Sequence, residues 1–370
     1  MERNEIKVTV IMPIYNAFSY LRPALDRVLD QTLREIELIC VDDGSTDKSL
    51  EILKEYQKLD ERVRIITETN AGPALARNKG IARARGEYVA FLDGDDFFEP
   101  TMLEKMYSAA VENNLDIAIA GYDVYNDSLA KFETAPKNEH DEIYRDGIVT
   151  SKNENPDEIF MSTTGSAWNK LFKKSFIVEK QLGFLPDVKM YEDVYFVVCA
   201  LSLAERVSKI PEVLMHHRVY SSQSRARSFR KYYSHVPTVY VAVREFLRAH
   251  GMLAPLKIAY LNLSASRCYK TYNALGKDEK EDFWNLLHEG EGERLGWSDY
   301  EKGDFELEEI CEFVTCIELY THKEYKNAVE KKRRPRLDRL KQILKNSKNK
   351  RKIRTFFKKL FSKFKKSKNK

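Results

Sequence analysis

The chain of 370 residues is 43% apolar and 11% aromatic, with only 15 glycines and 11 prolines. This composition supports a buried core in two or three domains and excludes a disordered chain, a collagen-like repeat and a small disulfide scaffold. The five cysteines are scattered without a C-x-x-C pair, so we expect reduced thiols and no structural zinc site. No run of about 18 apolar residues occurs, so we expect neither a membrane span nor an export signal.

The net charge of +5 conceals a strong asymmetry along the chain. Residues 331–370 carry 20 Lys and Arg against one acid, Asp338, whereas the preceding residues carry 42 basic and 56 acidic side chains. The sequence therefore predicts an acidic body followed by a basic tail.

The first third of the chain alternates short β-branched runs with helical patterns, which predicts βαβ units, a mostly parallel sheet and flanking helices. We predict strands at Val8–Met12, Glu37–Val41, Val63–Thr67, Tyr88–Leu92 and Asp116–Ala120. Ser19 is the predicted cap of the first helix, Thr46 or Ser45 caps the second, and Pro73 opens the third. Parallel sheets bind ligands at the carboxyl ends of their strands, where the acidic turns of this sequence fall.

One acidic turn, Asp93-Gly94-Asp95-Asp96, follows the fourth predicted strand. Three acids in four residues need a cation or hydrogen-bond donors to stay ionised side by side. Asp93 and Asp95, one residue apart, can share Mg²⁺ or Mn²⁺ with the phosphates of a substrate. A single turn of this kind is nevertheless common on protein surfaces.

Three other side chains fall at the same predicted edge of the sheet. Asp43, in the turn after the second strand, can accept a nucleobase N–H, or its turn can serve only to cap a helix. Tyr15 can stack on a base or cover the sheet edge. Arg77 can face a phosphate, although an exposed helical arginine is the simpler interpretation.

Four motifs in this order resemble the family-2 glycosyltransferases with the GT-A fold. They are V-x-V-I-M-P-x-Y-N at Val8–Asn16, V-D-D-G-S-T-D at Val41–Asp47, N-x-G-x-x-x-A-R-N-x-G at Asn70–Gly80 and G-E-Y-x-x-F-L-D-x-D-D at Gly86–Asp96. The resemblance continues to about residue 220. Residues 166–172 and 190–193 look like the acceptor loop and the Glu-Asp motif of bacterial capsule and exopolysaccharide transferases.

The resemblance implies an inverting transfer from a nucleotide diphosphate sugar, most often a UDP-sugar, with Mn²⁺ or Mg²⁺ as cofactor. It implies that Tyr15 and Asp43 hold the base, that Asp93 lies near the ribose or the metal, and that Asp95 is the main metal ligand. The further residues implied for donor binding are Pro13, Asn70, Gly72, Arg77 and Arg218.

The resemblance also implies a general base, Asp193, and a saccharide or lipid-linked acceptor in surface polysaccharide synthesis. Glu192 would place the loop of the base or raise its pKa by like-charge repulsion. Asn169 would bond sugar hydroxyls, and Trp168 would form a platform for a sugar ring, or belong to the core.

The predicted domains follow from the same comparison. A GT-A domain spans residues 1–225, with a nucleotide-sugar half at 1–121 and an acceptor half at 122–225. A mainly helical region spans residues 226–330, and the basic tail spans residues 331–370.

The basic tail contains an apolar stripe of helical periodicity. Its members are Ile353, Phe356, Phe357, Leu360, Phe361 and Phe364. Such a helix lies on anionic membranes, where each nearby cation contributes about 1 kcal/mol. We expect a cytoplasmic protein, peripheral at the inner face of the membrane, and no nucleic-acid partner. The alternatives for the tail are nucleic-acid binding, against which the aromatic stripe and the absence of a nucleic-acid-binding module argue, and a disordered solubilising segment. An upstream apolar stripe at residues 337–344 would prolong the helix or dock it on a partner subunit, so an oligomer is possible.

Two other functions compete with glycosyl transfer. A sugar-phosphate nucleotidylyltransferase needs a glycine-rich basic loop after the first strand, where this chain has Pro13-Ile14-Tyr15-Asn16. A catalytically silent membrane-surface scaffold would have no need of the acids Asp43, Asp95 and Asp193. A dehydrogenase is excluded because the G-x-G-x-x-G motif is absent.

Overall fold

The computed structural model describes residues 5–127, 129–135, 147–219, 229–299 and 304–325. The chain forms two compact units, Met1–Thr271 and Tyr272–Lys370. The predicted domain limits at residues 225 and 330 stay predictions. The basic tail, with the six apolar residues of its stripe, lies outside the described residues.

The described strands all belong to one sheet. They are β1 (Val8–Ile14), β2 (Ile36–Asp42), β3 (Val63–Thr67), β4 (Tyr88–Phe91), β5 (Phe97–Phe98), β6 (Ile117–Asn126), β7 (Lys131–Thr134), β8 (Lys170–Lys173) and β9 (Val207–Val219). The helices of the first unit are α1 (Phe18–Leu29), α2 (Ser49–Leu59), α3 (Pro73–Arg83), α4 (Met102–Glu112), α5 (Lys174–Glu179), α6 (Glu192–Leu203), α7 (His235–Ala249) and α8 (Lys257–Ala274), which ends in the second unit.

The sheet has the order β3-β2-β1-β4-β8-β6-β9-β5, with β7 paired to β6. The half β3-β2-β1-β4 is parallel, whereas β8 runs antiparallel to both β4 and β6. Helix α3 packs on β1 and β2, and α4 packs on β6. Because both faces are covered, β1 and β2 are almost wholly buried. The α/β fold class with a helical carboxyl-terminal region is confirmed.

The predicted strands are confirmed, and the fifth is longer than expected. Strand β6 runs on to Asn126 because the chain passes an irregularity at Gly121, where its register against β9 shifts. A Cβ on Gly121 would lie 2.6 Å from the carbonyl oxygen of Glu212. Only glycine allows the two strands to approach this closely.

The predicted caps of the first two helices are wrong. Helix α1 begins at Phe18, whose N–H donates to Asp47 Oδ2 over 3.1 Å. Helix α2 begins at Ser49, whose N–H donates to Asp47 Oδ1 over 2.9 Å. One carboxylate therefore caps both helices, in place of Ser19 and of Thr46 or Ser45, because the tertiary fold brings the two amino termini together. Helix α3 begins at Pro73, as predicted.

The second unit is helical in its described part. Its elements are α9 (Lys277–Leu286), a π-helical turn at Leu287–Glu291, α10 (Gly292–Arg294), a 3₁₀ turn at Trp297–Asp299 and α11 (Glu308–Leu319). Trp284 lies in its core, where it donates to the carbonyl of Tyr320 over 2.9 Å and packs edge-on against Phe313. Among the helices described in either unit, none combines the length and apolarity needed to cross a bilayer.

Candidate active site

A cavity of about 1110 Å³ opens at the carboxyl ends of β1, β2 and β4. Eight of the predicted donor-binding or metal-binding residues line it: Pro13, Tyr15, Asp43, Asn70, Gly72, Arg77, Asp93 and Asp95. The parallel half of the sheet brings them together because its strands end at one edge. The first loop of the cavity is held by Asn16, whose side-chain Oδ1 accepts the N–H of Thr46 over 2.8 Å. Next to it, Tyr15 lines the cavity and is 51% exposed.

Asp43 joins two loops of the cavity wall. Its N–H donates to the carbonyl of Ile14 over 2.8 Å. Its carboxylate accepts the N–H groups of Ala71 and Gly72, at 2.7 and 2.8 Å, and thereby positions the loop that contains Asn70. Each carboxylate oxygen has further acceptor capacity, so these bonds leave the predicted contact with a base possible.

Arg77 is buried and connects two carboxylates. Its Nη2 lies 2.8 Å from Asp93 Oδ1, and its Nη1 lies 2.8 Å from Glu192 Oε1. Burial alone would lower the pKa of Arg77, but Asp93, Glu192 and Asp193 outweigh it and raise this pKa. The guanidinium, predicted to face a phosphate, is thus engaged with protein carboxylates.

The three acids of the fourth turn have different surroundings. Asp93 and Asp95 line the cavity, whereas Asp96 is buried and accepts the N–H of Arg218 over 2.8 Å. The ring nitrogen Nδ1 of His217 lies 3.1 Å from Asp96 Oδ1. Burial raises the pKa of Asp96 to about 6, against the opposing effect of His217. Asp96 therefore holds the turn to β9, and this turn contributes two carboxylates to the cavity.

The two carboxylates of this turn that line the cavity fit one mode of metal binding. Among the residues that the structure describes, no group of three or more His, Cys, Asp or Glu side chains is arranged to hold an ion. Mg²⁺ sites commonly use one or two protein carboxylates and complete their shell with substrate phosphates and water. Asp93 and Asp95 suit a site of this kind.

Asp193 lies at the amino terminus of α6, half-buried beside the cavity but outside its lining. Its Oδ1 accepts the N–H of Val194 over 2.9 Å. Burial and the neighbouring Glu192 raise the pKa of Asp193 to about 7, with a smaller contribution from Asp93 and an opposing one from Arg77. A pKa near neutrality is the property expected of the predicted general base.

Three predicted residues have their polar groups or rings engaged within the protein. Trp168 is 7% exposed and stacks on His217, so little of its surface is open to a sugar. Asn169 is buried, and its side chain donates to the carbonyl of Ala120 and accepts from Lys170. Arg218 pairs with Asp127 and lies over the ring of Phe97, outside the cavity lining.

Comparison with known proteins decides the family. Residues 9–175 match the family model described as "Glycosyl transferase family 2". The putative glycosyltransferase EpsH of Bacillus subtilis (strain 168) is 32% identical over 249 residues, which are 66% of this chain and 70% of EpsH. The chain belongs to glycosyltransferase family 2. The predicted resemblance to family 2 is confirmed.

Two further comparisons show how much of this chain and of its relatives the similarity covers. The poly(ribitol-phosphate) beta-glucosyltransferase of Bacillus spizizenii is 34% identical over 208 residues, 55% of this chain and 31% of that protein. The chain spans between 30 and 70% of the length of the first curated relatives it matches. The crystal structure of Staphylococcus aureus TarS 1-349 in complex with UDP-GlcNAc superposes with a TM-score of 0.64 at 20% identity, over 84% of this chain and 87% of that one. This likeness shows a shared fold.

The sequence analysis missed Lys189, a cation that lines the cavity at the carboxyl ends of β1, β2 and β4. It lies three residues before Glu192 and lines the cavity near Gly72. Its N–H donates to His235 Nδ1 over 2.9 Å. Asp187 and Tyr191, two residues away on either side, have φ angles of 66° and 68°, a left-handed conformation that is uncommon in residues other than glycine. The only sequence signal was a lysine close to the Glu-Asp motif.

A second missed residue, Lys170, is completely buried. Its ammonium donates to the carbonyl oxygens of Thr164 and Ser166, both at 2.8 Å, and to Asn169 Oδ1 at 2.9 Å. Burial lowers its pKa to about 7, with Asp193 opposing the effect. Lys170 therefore holds the loop that precedes β8.

Proposed function

We propose that this family-2 enzyme transfers a sugar from a nucleotide diphosphate sugar to an acceptor hydroxyl with inversion at the anomeric carbon. The observation that carries the proposal is the single cavity shared by Tyr15, Asp43, Asp93 and Asp95, with Asp193 beside it. A cavity of about 1110 Å³ is large enough for such a donor. The UDP-GlcNAc bound to TarS, which has the same fold, supports a UDP-sugar.

In this proposal the loops after β1 and β2 bind the nucleoside. The exposed ring of Tyr15 stacks on the base, and Asp43 accepts a base N–H through its remaining lone pairs. Pro13, Asn70 and Gly72 shape the adjoining walls. Gly72 has a φ of 94°, and a Cβ there would lie 3.1 Å from Lys189 Nζ, so a side chain at this position would crowd the cavity.

Asp95 and Asp93 would hold Mn²⁺ or Mg²⁺, which, when bound, neutralises the charge of the diphosphate. Lys189, in place of the predicted donor-binding residue Arg218, contacts the diphosphate. It points a cation into the cavity from a strained segment, and no described carboxylate forms an ion pair with it. The ammonium stabilises the negative charge that develops on the departing diphosphate.

Asp193 acts as the base in a single displacement. The acceptor oxygen bonds to the anomeric carbon as the bond from that carbon to the diphosphate oxygen breaks, and the hydroxyl proton moves to the Asp193 carboxylate. Glu192, held by Arg77, positions the start of α6. The acceptor is a saccharide or a lipid-linked saccharide of a bacterial surface polysaccharide, in keeping with a relative named for poly(ribitol-phosphate).

The test is a screen of nucleotide sugars for nucleoside diphosphate release with Mn²⁺ or Mg²⁺ present. Release by the wild-type chain, lost in Asp95→Ala and in Asp193→Asn, supports the assignment. The two variants differ in nucleotide binding, because Asp193→Asn keeps the predicted metal ligands. If no nucleotide sugar binds or reacts, the silent scaffold becomes the better interpretation. Formation of a nucleotide sugar from a nucleoside triphosphate would favour a nucleotidylyltransferase.

We also propose that residues 331–370 attach the enzyme to anionic membranes at the inner face. Twenty cations and a stripe of six apolar side chains in this segment support the proposal. Full-length protein should co-sediment with vesicles containing anionic lipid, and a chain truncated after residue 330 should not. Equal binding of both chains would contradict this role of the tail.

A further inference from the structure

A second cavity, of about 170 Å³, lies between α6, α8 and the loop at residues 160–165. Each helix contributes four residues spaced i, i+3, i+4 and i+7, which form one helical face. On α6 they are Val194, Val197, Val198 and Leu201, and on α8 they are Leu263, Ser266, Arg267 and Lys270. The α6 face is entirely apolar, whereas the α8 face changes from an apolar side chain to a hydroxyl and two cations.

The cationic end of this α6–α8 cavity is the end nearest the proposed base. The guanidinium of Arg267 lies 5.6 Å from the centre of the Tyr191 ring, two residues before Asp193. Val194, next to Asp193, belongs to the cavity wall. A ligand held by Arg267 and Lys270 therefore lies near Asp193, and its apolar part extends along α6.

Two observations indicate that the α6–α8 cavity is a formed site. Lys170 bonds the carbonyls of Thr164 and Ser166 and so holds the loop that makes one wall. Ser266 is buried in the lining, and its hydroxyl has no hydrogen-bond partner among the described residues. Buried hydroxyls are nearly always bonded, so an unpaired one marks a place where a ligand or water completes the bonding.

We propose that the α6–α8 cavity binds the phosphate of an acceptor whose phosphate carries an apolar chain. Arg and Lys bind phosphate oxygens through charge-assisted hydrogen bonds, the Ser266 hydroxyl adds a donor, and the α6 face receives the first carbons of the chain. A cavity of about 150 Å³ holds a ligand the size of benzene, so this one suits a phosphate or a short apolar group, not a nucleotide sugar. The inference rests on the proposed function, because it names the acceptor of the reaction at Asp193.

The experiment measures binding of farnesyl phosphate, farnesol and inorganic phosphate to the full chain by titration calorimetry, with UDP and Mn²⁺ as a separate titration. We expect farnesyl phosphate to bind more tightly than either comparator. Lys270→Gln should weaken its binding about tenfold, since a hydrogen-bonded charge is lost. Ser266→Leu, which fills the cavity, should weaken it as well. Neither variant should change the affinity for UDP.

The matched control is Lys257→Gln, which removes a cation of the same helix outside the cavity lining and should leave farnesyl phosphate binding unchanged. Equal affinities in wild type, Lys270→Gln and Ser266→Leu would overturn the proposal, as would inorganic phosphate binding as tightly as farnesyl phosphate. If the wild-type chain does not bind UDP, the result contradicts the proposed function instead. UDP binding without farnesyl phosphate binding contradicts this inference alone.

Discussion

Arg77 and Glu192, 115 residues apart in the chain, form a buried ion pair with 2.8 Å between Nη1 and Oε1. The same guanidinium contacts Asp93 on the other side. One cation thus connects helix α3, the acidic turn after β4 and the first residue of α6. The geometry of the donor cavity and that of the proposed base depend on the same side chain.

Replacing Arg77 by methionine should destabilise the fold by about 3–5 kcal/mol, because the buried carboxylate of Glu192 and the half-buried one of Asp93 lose their partner. Urea denaturation followed by circular dichroism measures the change. The double variant Arg77→Met/Glu192→Gln should recover part of the loss, since one orphaned charge is removed. The control Arg248→Met breaks an exposed pair within α7 and should have little effect. An unchanged urea midpoint in Arg77→Met would show that the pair contributes nothing to stability.

The reaction rate should depend on the protonation of Asp193. A base must be ionised to accept a proton, so with a pKa of about 7 the rate should fall as the pH drops below 7. Asp193→Asn should lower kcat by about 10² to 10⁴ and remove this acidic limb. The measurement is kcat from pH 5.5 to 9 at saturating donor. A wild-type rate that stays constant down to pH 5.5 would argue against Asp193 as the base.

Asp193→Asn, which should lower the reaction rate, should raise the stability of the fold at alkaline pH. The pKa of Asp193 is raised in the folded state, so the carboxyl favours folding only while it is protonated. Its contribution is complete below the unfolded pKa of about 4 and is lost as the pH rises to about 7. The variant should therefore unfold at higher temperature than wild type at pH 8, with a smaller gain at pH 5. Thermal unfolding at both pH values tests this; a variant less stable at pH 8 would contradict it.

Lys189→Met should slow the reaction by about 10-fold to 100-fold, because one charge-assisted contact to the leaving diphosphate is lost. Binding of the UDP product should weaken in parallel, and Lys189→Arg should restore part of both. The control Lys180→Met removes an exposed lysine paired with Glu179 and should leave the kinetics unchanged. If Lys189→Met binds UDP as tightly as wild type, Lys189 does not contact the diphosphate.

The sequence by itself determined the parallel half of the sheet and the donor side of the cavity. Strands β1 to β4 follow from local apolar runs, and ligand residues directly after parallel strands meet wherever the strands end. Tyr15, Asp43, Asp93 and Asp95 could therefore be grouped before the fold was known. The position of a residue directly after a strand is fixed by the end of that strand.

The tertiary structure decided which polar groups remain available to a substrate. Arg218, Asn169 and Arg77 carry the right chemistry, yet contacts with residues distant in sequence engage each of them inside the protein. Lys189 had no motif to single it out, and it reaches the cavity from a segment whose backbone takes two left-handed conformations. Local sequence specifies most of the strands and helices near the donor cavity, whereas the partners of a long polar side chain depend on what folding brings within about 3 Å.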